Sequence, residues 1–327
     1  MSDRDMRIAV VGCGRVGTAL AVSLCKAGYK VSVLWSRDSK KAARIALGCG
    51  AESVATLREA ALGADMVFLT VIDSVIGAVA AKMAKELEGS DIEGRCFYHM
   101  SGALPSSVLM PLKRLGGSVA SLHPLQTFPD VDMAIRTLPG SLFCAEGDED
   151  AVERAKGAVD AMGGRFNRIE SSMKGLYHAS AVMASPLLMA LVATAAEGMH
   201  ACGLDLEAAR EGLSKLSAAT VEAFVKLGPE MGLTGPFVRG DAVTVRSNLA
   251  AMAEHCPGMV PIYLMLAKKD LELVWVKSPA LNLDDGKGVN PQDYLERLQS
   301  LSFEIQPSLR SGGYLAIETR DLRREQN

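Results

Sequence analysis

The seven cysteines (Cys13, Cys25, Cys49, Cys96, Cys144, Cys202 and Cys256) never form a CxxC pair. Odd in number and scattered, they exclude a disulfide framework and a zinc knot, and they predict reduced thiols in a cytoplasmic protein without a metal site. Charge of one sign is also lacking: a formal net charge of -3 over 327 residues gives no electrostatic basis for binding nucleic acid. No apolar leader precedes the first motif, because Asp3, Arg4 and Asp5 run directly into it. No internal repeat is visible. The segment from Gly175 to Ala196 contains no charged residue and is long enough to span a bilayer. It is made largely of Ala, Ser, Met and Thr, holds Pro186, and has no apolar partner span. A helix covered on all sides within a domain or a homodimer is therefore expected, with no membrane partner.

The strongest positive signal lies at the start of the chain. Ile8-Ala9-Val10-Val11 leads into Gly12-Cys13-Gly14-Arg15-Val16-Gly17, and Thr18 to Ala27 has helical character. In such a strand, turn and helix the first glycine permits the tight turn, the second lets a pyrophosphate approach the backbone, and the third lets the helix pack on the strand. Free N–H groups at the helix start then face the phosphates. The second strand, beginning at Lys30, ends in Trp35-Ser36-Arg37, with Lys40, Lys41 and Arg44 beyond. An NAD site usually places a carboxylate there to hold the ribose 2′-OH. A guanidinium fits a 2′-phosphate instead, so the expected cofactor is NADP(H). The expected cofactor residues are Gly12, Gly14, Arg15, Val16, Gly17, Ser36, Arg37, Thr70 and Asp73. For Asp73 a helix N-cap is the simpler role.

Asp65 to Ile72 is a continuous apolar run, as a central parallel strand covered on both faces requires. Together with strands at Arg95 to Met100 and Ser118 to Leu122, it predicts a doubly wound α/β sheet with its ligand crevice beyond the strands' carboxyl ends. Ser141 to Glu146 and Arg165 to Glu170 flank an amphipathic helix and extend the sheet edge. From Lys174 the pattern is helical, giving expected domains at 1–171, 172–275 and, as a hairpin or partly ordered extension, 276–327. The loop 228–241 is dense in turn residues.

The crevice rule gathers candidate catalytic groups. Lys174 and His178 are four apart and share a helix face. Hydride reduction of a carbonyl or imine needs an acid and a nearby cation where charge develops, and Lys174 can supply both. His123, turned outward by Pro124, ends the sixth strand, whereas His99 reads as buried structure. Ser101, beside Gly102, is a substrate anchor or an N-cap. Asp241 reads as a cap for the next helix or as a partner of Arg239.

Gly12 to Gly17, Ser101-Gly102, Leu122-His123-Pro124-Leu125-Gln126, the Lys174-x-x-Tyr177-His178 helix and Leu233 to Asp241 together resemble the Rossmann-like oxidoreductases that carry a DUF2520 domain. That family is related to the 6-phosphogluconate and 3-hydroxyisobutyrate dehydrogenases, pyrroline-5-carboxylate reductase and coenzyme F420:NADP oxidoreductase. The resemblance runs from Arg7 to about Asp270. It implies a nucleotide domain, a helical C-terminal domain that dimerises, and an NADP-linked reductase activity. Lys174 matches the lysine that the hydroxyacid dehydrogenase relatives use as acid, and His178 stands where they carry Asn. Some members resemble an alternative class of ketopantoate reductase. Pro186 replaces an Asn common in the family and predicts a kink in the long helix. The expectation is an NADP(H)-dependent enzyme that reduces a small carbonyl acid, with ketopantoate to pantoate as the named reaction. Imine reduction of the pyrroline-5-carboxylate type and a non-catalytic NADP sensor are the alternatives.

Overall fold

The computed structural model describes residues 5–277. The extension expected beyond that point lies outside the described residues. Two compact units divide between Ser185 and Pro186.

The first unit begins β1 (Arg7–Val11), α1 (Arg15–Lys26), β2 (Lys30–Trp35), α2 (Ser39–Cys49), β3 (Glu52–Ser53), α3 (Leu57–Leu62), β4 (Met66–Leu69) and α4 (Asp73–Glu86). It continues β5 (Cys96–His99), α5 (Met110–Lys113), β6 (Ser118–Pro124), α6 (Val131–Thr137), β7 (Leu142–Gly147), α7 (Glu149–Ala161), β8 (Arg165–Arg168) and α8 (Lys174–Val182). The eight strands form one sheet in the order β3-β2-β1-β4-β5-β6-β7-β8. Every pairing is parallel except β6 with β7.

Both faces of the sheet are covered, which is why its strands read as unbroken apolar runs. Ile8 and Val10 of β1 join Phe68, Leu20, Ile45 and Val152 in one core, while Ala9 and Val11 join Val67, Leu69, Ile76 and Met83 in the other. Local chemistry agrees with the boundaries. Asp38 caps α2 by accepting from Lys41 N at 3.0 Å, and Thr56 with Glu59 forms a reciprocal cap on α3.

The second unit holds α9 (Leu188–Ala201), α10 (Leu206–Gly232), α11 (Pro236–Arg239), α12 (Ala242–His255) and α13 (Met259–Lys277). The expected long loop is partly helical. α10 continues past a break at Gly228, where φ is 75°, and α11 follows Gly235. Asp241 caps α12 through Thr244 N at 3.0 Å and Thr244 Oγ1 at 2.7 Å, as the N-cap reading requires. At Pro186 the regular helix is interrupted. Met183–Leu187 form a π-turn, and this wider turn absorbs the hydrogen bond that proline cannot donate.

The expected cover of the charge-free helix is not supplied by its own chain among the described residues. Ser171–Ala201, with mean hydropathy 1.8, is long and apolar enough to cross a membrane, yet within the single chain it is mostly exposed. Met183 and Met189 are 67% and 71% exposed.

Candidate active site

The glycine turn follows β1 as the sequence requires, and each glycine has a separate reason. Gly12 has φ +109°. A Cβ on Gly17 would overlap the Gly12 carbonyl oxygen and the Thr70 hydroxyl. Gly14 has nothing within 4 Å of where its Cβ would stand, leaving the approach to the turn open. No side chain caps α1, so its first N–H groups remain available to phosphate. Thr70 ties the turn to β4, its Oγ1 donating to Gly12 O at 2.6 Å.

A cavity of about 670 Å³ opens beside this turn, lined in part by Gly12, Gly14, Ser36, Arg37, Lys41 and Thr70. Its size and its cationic edge fit a dinucleotide phosphate. Asp38 also stands in the lining, but its carboxylate is committed to the α2 cap.

Three of the expected cofactor residues also make contacts within the protein. Arg15 donates to Pro129 O at 2.9 Å, tying the turn to the loop after β6. Val16 packs against the core beneath. Asp73 is the first residue of α4 rather than its cap, which is Ile72, and its Oδ2 accepts from Ser101 Oγ at 2.5 Å. The N-cap reading of Asp73 is therefore corrected. Its short side chain is spent on a bond to the next strand's loop.

The residues expected to do chemistry gather at the ends of β5 and β6 and on α8. A polar row crosses the otherwise apolar sheet here: His99 pairs in register with Ser121, and Ser121 with Glu146. Lys174 is 2% exposed, and its ammonium donates to Ser101 O at 2.9 Å and to Ser121 Oγ. Burial lowers its pKa, and the carboxylates of Glu146 and Asp73 oppose that shift. Glu146, itself buried, accepts from Ser106 N at 2.6 Å and from Ser106 Oγ at 2.7 Å.

Ser101 is not free to act as a substrate anchor through its hydroxyl. That oxygen donates to Asp73 and accepts from Ala103 N at 3.2 Å and Leu104 N at 3.0 Å. It holds the loop, and the loop's carbonyl holds Lys174. His99 is likewise occupied, with Nδ1 accepting from Ser101 N at 3.2 Å and Nε2 donating to Pro105 O at 3.2 Å. His123 and His178 face each other with ring centroids 6.1 Å apart. A Cβ on Gly102 would lie 2.7 Å from His178 Nδ1 and 2.9 Å from His123 Nε2, so both rings close over this glycine. His178 Nδ1 is buried without a partner, and His123 Nδ1 lies 2.8 Å from the Tyr177 hydroxyl. Burial and the Lys174 charge push His99 and His123 down to about 4, leaving both neutral near pH 7.

Tyr177, Ser121 and Glu146 were not singled out by the sequence. Tyr177 had a usable signal, one position before His178 on the same helix. Ser121 and Glu146 had none, because only strand pairing brings them to Lys174.

Comparison with known proteins follows this division of labour. Residues 7–92 match the family described as NADP oxidoreductase, coenzyme F420-dependent, and residues 141–270 match the domain of unknown function DUF2520. The chain is a Rossmann-like NADP oxidoreductase. The cofactor of this oxidoreductase is NADP(H). A protein of Thermotoga maritima is 25% identical, with a TM-score of 0.67 over 83% of this chain and 99% of its own. Two others share the fold. A pyrroline-5-carboxylate reductase of Coxiella burnetii is 16% identical, with a TM-score of 0.55 over 81% of this chain and 97% of its own. A reductive aminase of Aspergillus terreus, solved with NADPH and ethyl levulinate, is 16% identical, with a TM-score of 0.54 over 94% of this chain and 95% of its own. No curated protein matches the oxidoreductase chain.

Proposed function

We propose that this oxidoreductase reduces the C=O group of a small carbonyl acid with NADPH, with ketopantoate to pantoate as the named reaction. The carrying observation is the buried Lys174 ammonium beside two imidazoles, His123 and His178, that converge over Gly102. NADPH, when bound, supplies the hydride. Gly12 and Gly14 with the start of α1 hold its pyrophosphate, and Ser36, Arg37 and Lys41 receive its 2′-phosphate. Lys174 spends two of its three N–H donors on Ser101 O and Ser121 Oγ, so one remains for the oxygen on which negative charge develops. A lowered pKa makes the same ammonium a better acid toward that oxygen. His123 and His178 supply polar contacts to the substrate from the other side. Ser101 acts through the loop it holds rather than as a direct contact.

Reduction of a cyclic imine acid is the second reading, favoured by the shared fold with a pyrroline-5-carboxylate reductase and a reductive aminase. A panel of 2-oxo acids and cyclic imines, with NADPH absorbance followed, separates the two by which group turns over. Absence of turnover across the panel, with NADPH bound, would leave the cofactor-sensor alternative and defeat the catalytic reading. The exposed face of Ser171–Ala201 supports a homodimer in which a second copy covers it, and the scattered free cysteines support a cytoplasmic location.

A further inference from the structure

Tyr177 lies outside the lining of the cavity at the glycine turn, and its hydroxyl meets named partners on two strands. It lies 2.8 Å from His123 Nδ1, the two rings meet edge to face at 87°, and the Cys144 thiol lies against the same hydroxyl. His123 and Cys144 are directly paired across the antiparallel β6–β7 ladder, so one phenol from α8 spans both strands. Two proton arrangements fit this geometry. In one, His123 Nδ1–H donates to the phenol oxygen, and the phenol must spend its own proton on sulfur, a weak acceptor. In the other, the thiol donates to the phenol oxygen and the phenol donates to the imidazole nitrogen. The second arrangement matches the best donor with the best acceptor, and each bond polarises the next. It also leaves the opposite ring nitrogen, Nε2, protonated over Gly102.

We infer that Tyr177 is a positioning residue that fixes His123 in its Nε2–H tautomer, so that His123 presents a hydrogen-bond donor to the oxygen of the reducible group. The substrate's part in this statement rests on the carbonyl reading above; the tautomer does not. In the reaction, hydride adds to the carbonyl carbon, the C=O π pair moves to oxygen, and that oxygen takes a proton from Lys174 while His123 Nε2–H donates without transferring its own. The tautomer matters because a donor is useful to a carbonyl oxygen only if it is already in place before charge develops.

The test is made on the full chain with 15N-labelled histidine, by long-range 15N–1H correlation at pH 7 with NADPH bound, His123 being assigned by its loss in His123→Gln. The expected result is a protonated Nε2 and an unprotonated Nδ1. Tyr177→Phe should scramble this signature and lower kcat by about 10- to 100-fold with KM nearly unchanged. His123→Gln keeps an N–H near the Nε2 position without help from the phenol, so adding Tyr177→Phe to it should cost less than twofold more. The inference is overturned by a native Nδ1–H tautomer, by an unchanged signature in Tyr177→Phe, or by full additivity of the two substitutions in kcat. Should Tyr177→Phe fail to fold, a native Nδ1–H tautomer still overturns the inference, and Tyr177→Trp, which keeps an aromatic ring but removes the phenol oxygen, takes the place of Tyr177→Phe. Because that spectrum needs no substrate, a failed carbonyl assignment and a failed tautomer assignment give different results.

Discussion

The two units bury their apolar residues to very different degrees. In the first, nearly every apolar strand residue is sealed, with Ile8, Val10, Val67, Phe68, Leu69 and Phe97 all at 0% exposure. In the second, the same residue types lie open: Phe224, Val225, Leu227 and Met231 are 58% to 76% exposed. The sheet unit closes two cores around its own strands, whereas the helical unit gathers only small clusters such as Ala196, Ala209 and Leu213. Exposed apolar area of this extent marks a contact surface. The difference teaches that the glycine turn and its cavity are packed within one chain, while the helical unit leaves much of its apolar surface uncovered.

The hardest test of the self-contained unit is Gly17→Ala. The added carbon overlaps fixed backbone and the Thr70 hydroxyl, so NADPH affinity should fall by about 4 kcal/mol, close to a thousandfold, in a cofactor titration. Retained binding would show that the turn yields where the packing says it cannot. Next in size, Lys174→Met should lower kcat by about 10² to 10³ while NADPH binding stays nearly native, since the charge it supplies acts in the transition state. A folded variant within a few-fold of native turnover defeats the assignment.

The open unit is broken from the other side. Met189→Asp places a charge on the 71% exposed apolar face and should weaken self-association by about 2 to 3 kcal/mol, roughly a hundredfold, with NADPH binding intact. Sedimentation reads the change, and a native chain that is monomeric at micromolar concentration overturns the contrast. Arg37→Ala should cost about 1.5 to 3 kcal/mol in NADPH affinity with NADH hardly affected. Equal native binding of both cofactors removes its basis. The smallest effect is a pH shift. The Glu146 carboxylate favours the charged form of Lys174, so Glu146→Gln lowers that lysine's pKa further. If Lys174 is the acid, the alkaline limb of kcat must then move to lower pH; movement the other way counts against it.

Much of the sheet unit was readable because its signals are local. The glycine spacing and the apolar run from Asp65 to Ile72, which holds β4, each sit within one short stretch of chain. The site was legible only in outline. Lys174 with His178 follows from helical spacing, but Asp73 with Ser101, Lys174 with Ser121 and His123 with Tyr177 meet across 28, 53 and 54 residues. No periodicity encodes such pairs. The antiparallel turn of β7 was hidden for a similar reason, since strand composition carries no direction. Pro186 announced a disturbance, but that it takes the form of a π-turn depends on neighbours that a proline cannot name.

Gly102 carries a consequence for how this site can diverge. Its missing side chain occupies the volume into which two imidazoles have grown, so position 102 and the histidines at 123 and 178 are not free to vary separately. A homologue that gains any larger residue at 102 must shorten or turn away both rings, since each lies within 3.0 Å of the added carbon. One that trades only His178 for a smaller amide still meets the His123 ring. Reading those three columns together across related chains therefore sorts relatives that keep the paired imidazoles from those that have rebuilt the site.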